Sequence, residues 1–520
     1  MTSEILYVTS RCVTIKICDG GKYNTLNNYI ININGQPLLR TDHVVTTIYN
    51  LLPDTYYDID ISDVSQSPCQ TSLKNNDAYT DDNMGKISYS MSFKTKFEAE
   101  TLNVYDFGAV GDGIHDDTSC IQAAIMSAGC DSRVLIPKGN FLIHGIFVKS
   151  NLSLEIAKGA IIRLAAEPDK IPVIPGVIEN YDEKGERILN CWEGNPLATY
   201  AGAINGIGAD NCTIYGEGTV DGQASYDNWW TFDKEKFTVG RPKLLFFNKC
   251  DNLNLIGLNL KNSPSWTIHP LLCTNSSIYC TNISNPLDSP NTDGLDPECV
   301  NYMKIMGMHF SLGDDCVAIK SGKIYIGRKY SIPSENITIS NCFMECGHGA
   351  VTIGSEMSGG IKNVLVCDSV FRDTDRGLRI KSRRGRGKNA VIDMITFRNI
   401  DMYHVLTPFT ANEFYFCDPD GKTDYVQNRD KMPVDDRTPL IKHMIFENIN
   451  ARDCEICAAY FLGLPERPIE LIEMRNVSVS FKENSCPGMP IMACGIEPVS
   501  KQGIISCNVI TLTQENVNIS

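Results

Sequence analysis

One pattern constrains this chain more than its composition does. From about residue 211 a short apolar-x-apolar run recurs, followed one or two residues later by asparagine or its equivalent. The runs are LNLIGL at 253, IYCTNI at 278, MKIMGM at 303, ITISNC at 337, VLVCDS at 364, ITFRNI at 395, MIFENI at 444 and IEMRNV at 472. Successive starts lie 25 to 49 residues apart. Such spacing is too irregular for a helical solenoid of fixed repeats. It suits a coil of about three short strands per turn with loops inserted on one side, a parallel β-helix. Asn282, Asn341, Asn399, Asn448 and Asn476 fall at matching places, where stacked amides can bond to one another and to turn backbones. That ladder also accounts for apparent glycosylation sequons such as Asn282-Ile-Ser and Asn336-Ile-Thr.

The first 98 residues read differently. Runs such as YVTSRCVTIKI, YIININGQPLL and ISYSMSFKTK alternate apolar and polar, with turn residues between them. Alternation of this kind predicts a small β-sandwich. No reactive constellation occurs in this stretch. At 520 residues the chain is longer than one compact core usually holds, in keeping with a sandwich over 1–98 and a solenoid over 99–520. The segment after Asp117 has helical spacing (Ile121, Ala124, Ile125) and candidate caps in Asp116, Asp117 and Thr118.

A formal net charge of −15 argues against a nucleic-acid partner, which requires a basic face. It leaves room for an anionic small substrate at a locally basic site. The N-terminal residues alternate like a strand, with no basic region followed by an unbroken apolar one, and no 18-residue apolar stretch occurs. The expectation is therefore no signal peptide and no membrane partner. The 21 cysteines are scattered through apolar segments, the habit of reduced thiols, so a cytoplasmic location is expected.

In a parallel β-helix, rungs stack about 4.8 Å apart, so equivalent positions in successive repeats become neighbours. Four repeats carry unusual polar clusters at a similar phase. SPNTDGLDPECV holds Asp293 and Asp296. LGDDCVAIKSG holds Asp314, Asp315 and Lys320. CGHGAVTIGSEMSGG holds His348 between glycines. RGLRIKSRRGRGK holds Arg379 and Lys381, two apart and so on one face. Stacked, they form a stripe of acids, one histidine and two cations. This is the pattern of a glycosidase acting on an acidic sugar: an acid protonates the leaving oxygen, carboxylates activate water and cations hold the substrate carboxylate. On a regular strand Asp314 and Asp315 would point to opposite faces. Their place at the start of a strand, just after Gly313, predicts a bend that aims both into one cleft.

These four segments resemble, in order and spacing, the signature segments of the polygalacturonase family, glycoside hydrolase family 28. The opening VYDFGAVGDGIHDDT is similar to the first segment of pectin-active β-helices. The resemblance covers roughly 101–510. It implies an all-β fold whose main part is a right-handed, pectin-lyase-like parallel β-helix. It also implies inverting hydrolysis of α-1,4-linked galacturonate chains, with no cofactor and no metal. By the same resemblance Asp314 corresponds to the general acid, and Asp293 and Asp315 to the pair that activates water. His348 supports the acid or bonds substrate, and Arg379 and Lys381 grip the galacturonate carboxylate. Tyr415, in NEFYF, matches the substrate-binding tyrosine. The piece IYNLLPDTYYDIDI similarly resembles the fibronectin type III signature, with Leu52, Pro53 and Tyr56 in the marked places.

Other readings stay open. Asp293 in NTDG also suits a turn. Asp314 and Asp315 with Asp296 and Glu298 could cluster oxygens for calcium. His269 and Trp266, in NSPSWTIHP one rung earlier, are expected to line the cleft, with core packing the other option for Trp266. Arg383, Arg384, Arg386 and Lys388 either extend the anionic subsites or sit in solvent. Long stretches at 165–200 and 224–242 exceed what a rung requires; if they wall one end of the cleft, attack is at chain ends. Rhamnogalacturonan or xylogalacturonan specificity, a β-helix pectate lyase and a non-catalytic carbohydrate-binding protein are the alternatives.

Overall fold

The computed structural model describes residues 2–64, 87–179, 185–231 and 239–520. Residues 180–184 and 232–238, parts of the two long stretches noted above, lie outside them. The chain separates into two units, Met1–Glu100 and Thr101–Ser520.

The N-terminal unit is a sandwich of two antiparallel sheets. Strands β1 (Thr2–Val8), β2 (Val13–Cys18), β3 (Asn24–Ile33), β4 (Gln36–His43), β5 (Val45–Ile48), β6 (Tyr56–Asp63) and β7 (Ile87–Lys94) form it. One sheet has the order β1-β2-β5, the other β4-β3-β6-β7. The period-2 pattern decides what is inside: Val13, Ile15 and Ile17 of β2 meet Tyr57, Ile59 and Ile61 of β6 in one core. The leucine and tyrosine marked in the sequence, Leu52 and Tyr56, do not join this core. Leu52 and Tyr56 are exposed, at 61% and 73%, while Leu51 and Tyr57 are buried. The Leu52 backbone N–H donates to the Tyr57 hydroxyl at 2.8 Å. The physical reason is the alternation itself: with Ile59 and Ile61 inside, only Tyr57 shares their face.

The second unit is a parallel β-helix. Helix α1 (Thr118–Ser127) lies near its start, burying Ile121, Ala124 and Ile125. Asp117 stands at its N-cap position but makes no side-chain cap bond; its carboxylate instead accepts from Val110 N and Gly111 N.

The sheet that carries the site runs through β8 (Leu245–Asn248), β9 (Ile268–Leu271), β10 (Val317–Ile319), β11 (Val351–Gly354), β12 (Arg376–Lys381), β13 (Thr407–Asn412) and β14 (Cys457–Leu462). Pairing is parallel and in register, Leu245 with Ile268 and Val317 with Val351, then Leu378 and Phe409. Single bridges through Leu295 join β9 to β10. Leu245, Ile268, Leu295, Val317, Val351, Leu378 and Phe409 make one column of wholly buried side chains, each contributing about 1.5–3 kcal/mol by burial. Alternate residues leave the core face and point outward. His269, Asp296, Ala318, Thr352, Arg379 and Thr410 thus share one outward column, and Glu298, Lys320 and Lys381 lie two residues further on.

The asparagine ladder exists, in a different arrangement from the expected one. Asn476 donates to Asn448, and Asn516 to Asn476. Asn282 donates to Asn259 and Asn399 to Asp368, and the Asn341 amide reaches the Asp368 carbonyl. A separate ladder joins Asn301, Asn336 and Asn363. Asn341, Asn399, Asn448 and Asn476 all hold positive φ, a turn conformation that asparagine tolerates better than bulkier residues.

Candidate active site

The reactive residues gather because the strands they precede are stacked. Leu295 bridges Val317, so Asp293 and Asp315, each two residues earlier, lie one above the other. Gly294 N donates to the Asp315 carbonyl at 3.0 Å, and His348 N to the Asp314 carbonyl at 3.0 Å. The same register puts His348 above Asp314 and Asp375 above His348. The nearest carboxylate oxygens of Asp293, Asp314 and Asp315 lie within 4.8 Å of one another. They open onto a cavity of about 440 Å³ also lined by His348, Arg379, Lys381 and Tyr415.

Two glycines make this approach possible. A Cβ on Gly349 would stand 2.3 Å from Thr352 Oγ1 and 3.0 Å from Asp315 Oδ1, and one on Gly313 would strike the Leu287 carbonyl at 1.8 Å. The glycines flanking the aspartate pair and the histidine are therefore steric requirements of the site.

Asp315 has only 1% of its side chain exposed, yet it faces cations and not the apolar core. Arg379 Nη1 donates to Oδ1 at 3.1 Å and Lys381 Nζ to Oδ2 at 2.8 Å. Burial alone would raise its pKa, but Lys381 and Arg379 overrule that and hold it well below the usual carboxylate range. Asp293 has the opposite balance. Burial, then the charges of Asp314 and Asp296, push it well above that range against the pull of Lys320. Asp314 is half-buried, and its Oδ1 accepts from Asp315 N at 2.9 Å. His348 is half exposed, and its Nδ1 lies 2.9 Å from Asp375 Oδ2. That hydrogen bond, with the charges of Asp314 and Asp315, outweighs burial and raises the imidazole pKa.

Arg379 and Lys381 thus hold an aspartate before any substrate arrives, a pairing the sequence alone did not reveal. Arg379 Nη2 also meets Met492 Sδ at 2.8 Å. The buried Tyr415 lies under Lys381, whose Nζ is 5.7 Å from the ring centroid. Lys320, Glu356, Asp375 and Glu193 also line the cavity. Asp375 and Glu356 were missed because neither stands out in its own segment, and only the stacking register reveals them.

His269 does not line the cleft. It occupies the outward face at the expected phase, but it is fully buried. Its Nε2 lies 2.9 Å from Glu298 Oε2, and Cys191 Sγ stands 3.4 Å from Glu298 Oε1. Residues 190–192, within the stretch 165–200, lie over this part of the face. Lys243 seals the same region, bonding Asn190 Oδ1 at 2.9 Å and the Cys191 carbonyl. Burial lowers the His269 pKa to about 4 against the pull of Glu298, and lowers Lys243 to about 8. Trp192 stacks on Trp266 with centroids 6.4 Å apart, and Glu193 and Trp266 close that end of the cavity.

The arginines after β12 neither extend the cleft nor sit in solvent. Arg383 pairs with Asp418 at 3.0 Å and Asp420 at 2.7 Å, Arg386 pairs with Asp418, and Arg384 makes a two-pronged pair with Glu466 at 2.6 and 2.9 Å. Lys388 alone of the four is exposed. The calcium arrangement is not formed either. Glu298 is engaged by His269, and Lys320 Nζ lies 3.3 Å from Asp296, where a fixed ammonium already answers the carboxylate charge.

The Glycosyl hydrolases family 28 profile matches residues 192–495. The chain belongs to this family, and it is a glycoside hydrolase. A second profile, Rhamnogalacturonase A/epimerase, pectate lyase-like, matches 101–154. A probable polygalacturonase of Vitis vinifera is 29% identical over 407 residues, 76% of this chain and 77% of that one. An endo-polygalacturonase of Pectobacterium carotovorum subsp. carotovorum is 30% identical over 57% of this chain and 72% of its own. The solved structure of a hyperthermoactive exopolygalacturonase from Thermotoga maritima is 26% identical, with a TM-score of 0.63, covering 81% of this chain and 92% of that one. Among the described residues the cysteines are free thiols, and no helix is long and apolar enough to cross a membrane.

Proposed function

We propose that this glycoside hydrolase cleaves α-1,4 bonds in polygalacturonate or oligogalacturonides, with inversion and from one chain end. The observation that carries the reading is the pairing of Arg379 and Lys381 with Asp315 beside two further carboxylates. Cations at this point suit a substrate carboxylate at the cleavage site. The names of the relatives agree on the substrate class and divide on endo and exo action.

Asp314, the most open of the three carboxyls, is placed to protonate the leaving oxygen. Asp315 and Asp293 polarise a water on the other side of the anomeric carbon. Carboxylates this close are nearer the separation usual for retention, about 5–5.5 Å, than that for inversion. Both Asp315 oxygens are committed to cations, however, which weakens it as a nucleophile and supports attack by water. Proton NMR of the first product decides: the β-anomer supports inversion, and the α-anomer overturns it.

End-directed action rests on the covering of His269, Glu298 and Trp266 by Cys191 and Trp192, which closes the face on one side of the carboxylates. Timed product analysis on polygalacturonate tests it. A single short product from the first minutes supports exo action, and an early spread of long and short fragments overturns it. A lyase requires a free basic group to abstract a proton. Here Lys320, Arg379 and Lys381 all face carboxylates, which favours hydrolysis. An unsaturated, ultraviolet-absorbing product would reverse that preference.

We also read the N-terminal unit as fibronectin type III-like. The three-plus-four strand order and the Tyr57 hydroxyl bonded to backbone five residues upstream support this.

A further inference from the structure

Lys320 ends up in an unusual place. It follows β10 on the outward face, with 3% of its side chain exposed. Its Nζ stands 3.9 Å from Asp293 Oδ2, 3.3 Å from Asp296 Oδ1 and 3.5 Å from Glu356 Oε2. The ammonium lies over the Trp266 ring at 4.6 Å from its centroid. An ammonium has three donors, and here three carboxylates from two segments converge on it. Only one of them, Asp293, belongs to the reacting trio.

We propose that Lys320 is a positioning residue for the hydrolysis: its ammonium favours the ionised form of Asp293 in a buried cluster of like charges, and so lowers the pH at which water is first activated. This rests on the reading of Asp293 as a base.

The surroundings show why a cation is required there. Asp293 faces Asp314 and Asp315 from the next rung and Asp296 from its own, and burial adds to their repulsion. Arg379 and Lys381 are already bonded to Asp315. Arg241, another cation whose charge reaches Asp293, is held by the Pro264 and Pro290 carbonyls at 2.8 and 3.0 Å and by Asn291 Oδ1 at 2.8 Å. His269 lies beyond, engaged with Glu298, and Lys243 beside it reaches Asp296 through its charge. Glu356 competes for Lys320, but it also faces Lys323, Lys381 and Arg386, which together with Lys320 lower its pKa to about 2 against its burial. Asp296 is the closest competitor. Its oxygens are buried, with Lys320 Nζ 3.3 Å from Oδ1, and burial, only partly offset by Lys320, raises its pKa to about 8. Asp296 is thus pushed toward its neutral form, and in a Lys320→Met chain a neutral Asp296 leaves no bare buried charge at this position.

The test is the acidic limb of kcat/KM on polygalacturonate, which reports the free enzyme's base. Lys320→Met is expected to move that limb upward by about 1–3 pH units, the range for an opposite charge at this separation. Lys320→Arg is expected to keep it near its original place. Asp296→Asn removes a competing charge and is expected to move the limb downward. Carboxyl-13C aspartate NMR gives the same answer without turnover. The resonance missing from Asp293→Asn should titrate higher in Lys320→Met and lower in Asp296→Asn. An unmoved Asp293 resonance, or a Lys320→Met enzyme that loses the same factor at every pH, overturns the proposal. If polygalacturonate is left intact by the unaltered enzyme, the functional reading falls, and the NMR titration still decides the part played by Lys320.

Discussion

The outward face of one sheet carries two charged clusters built alike and used differently. Around Asp315, Arg379 and Lys381 the face is open to a cavity. Around His269, Glu298 and Lys243, on neighbouring rungs at the same phase, it is roofed by Asn190, Cys191 and Trp192. Both hold a carboxylate against cationic or imidazole nitrogen. In the open cluster the cations keep a carboxylate charged in reach of a ligand. In the roofed one, burial has pushed His269 toward neutrality. Stacking phase decides which residues share a face. The inserted loop decides which part of that face is a site.

Substitutions in the open cluster sharpen this contrast first. Asp314→Asn cannot donate the proton and is expected to lower kcat/KM by about 10²–10⁴-fold, with an unchanged melting temperature. A loss of less than tenfold would break the assignment of Asp314 as acid. Arg379→Met is next. It leaves the buried Asp315 with Lys381 as its one bonded cation, and kcat/KM is expected to fall about 10²-fold, the scale of losing one fixed charge stabiliser. Stability should fall too, because removing one partner of a buried pair exposes the other's desolvation. Normal turnover in Arg379→Met would mean that the cations serve only the fold.

The sequence carried the open cluster almost whole. Asp293, Asp314, Asp315, His348, Arg379, Lys381 and Tyr415 all reach one cavity, because a stacked solenoid turns matched phase into proximity. The strand-start position of the aspartate pair followed from Gly313, whose lack of a side chain the Leu287 carbonyl demands. What escaped is what periodicity does not encode. The course of 165–200 has no repeat, so nothing in NSPSWTIHP signals that His269 is roofed. The ion pairing of Arg383, Arg384 and Arg386 depends on acids 32 to 82 residues away. In the sandwich the slip from Tyr57 to Tyr56 is one residue, enough to exchange the buried face for the exposed one.

A smaller effect is expected at the rim. Asp375→Asn leaves a neutral acceptor in place of the charged one whose hydrogen bond, ahead of the nearby aspartate charges, raises the His348 pKa. A raised value means the ring stays protonated to higher pH, and the variant should lose its charge earlier. The alkaline limb of kcat/KM should move down, and only modestly, because both groups are half exposed. Activity at acidic pH should be little altered. An alkaline limb that stays put would separate His348 from the reaction.

The least effect on chemistry belongs to the roofed cluster, and it completes the comparison. His269→Phe preserves ring volume against Phe246 and Trp266, whose centroids lie 5.5 and 4.9 Å from the imidazole. It removes the ring nitrogen 2.9 Å from Glu298. Glu298 then keeps Cys191 as its close polar neighbour in a fully buried place, and leaving such a group under-satisfied costs about 1–3 kcal/mol. Thermal unfolding should therefore shift down while kcat/KM on the folded enzyme and its pH limbs stay at the original values. Were His269 in contact with substrate, the order would reverse, with KM rising and stability holding. The two measurements on one variant thus separate a roof from a cleft wall.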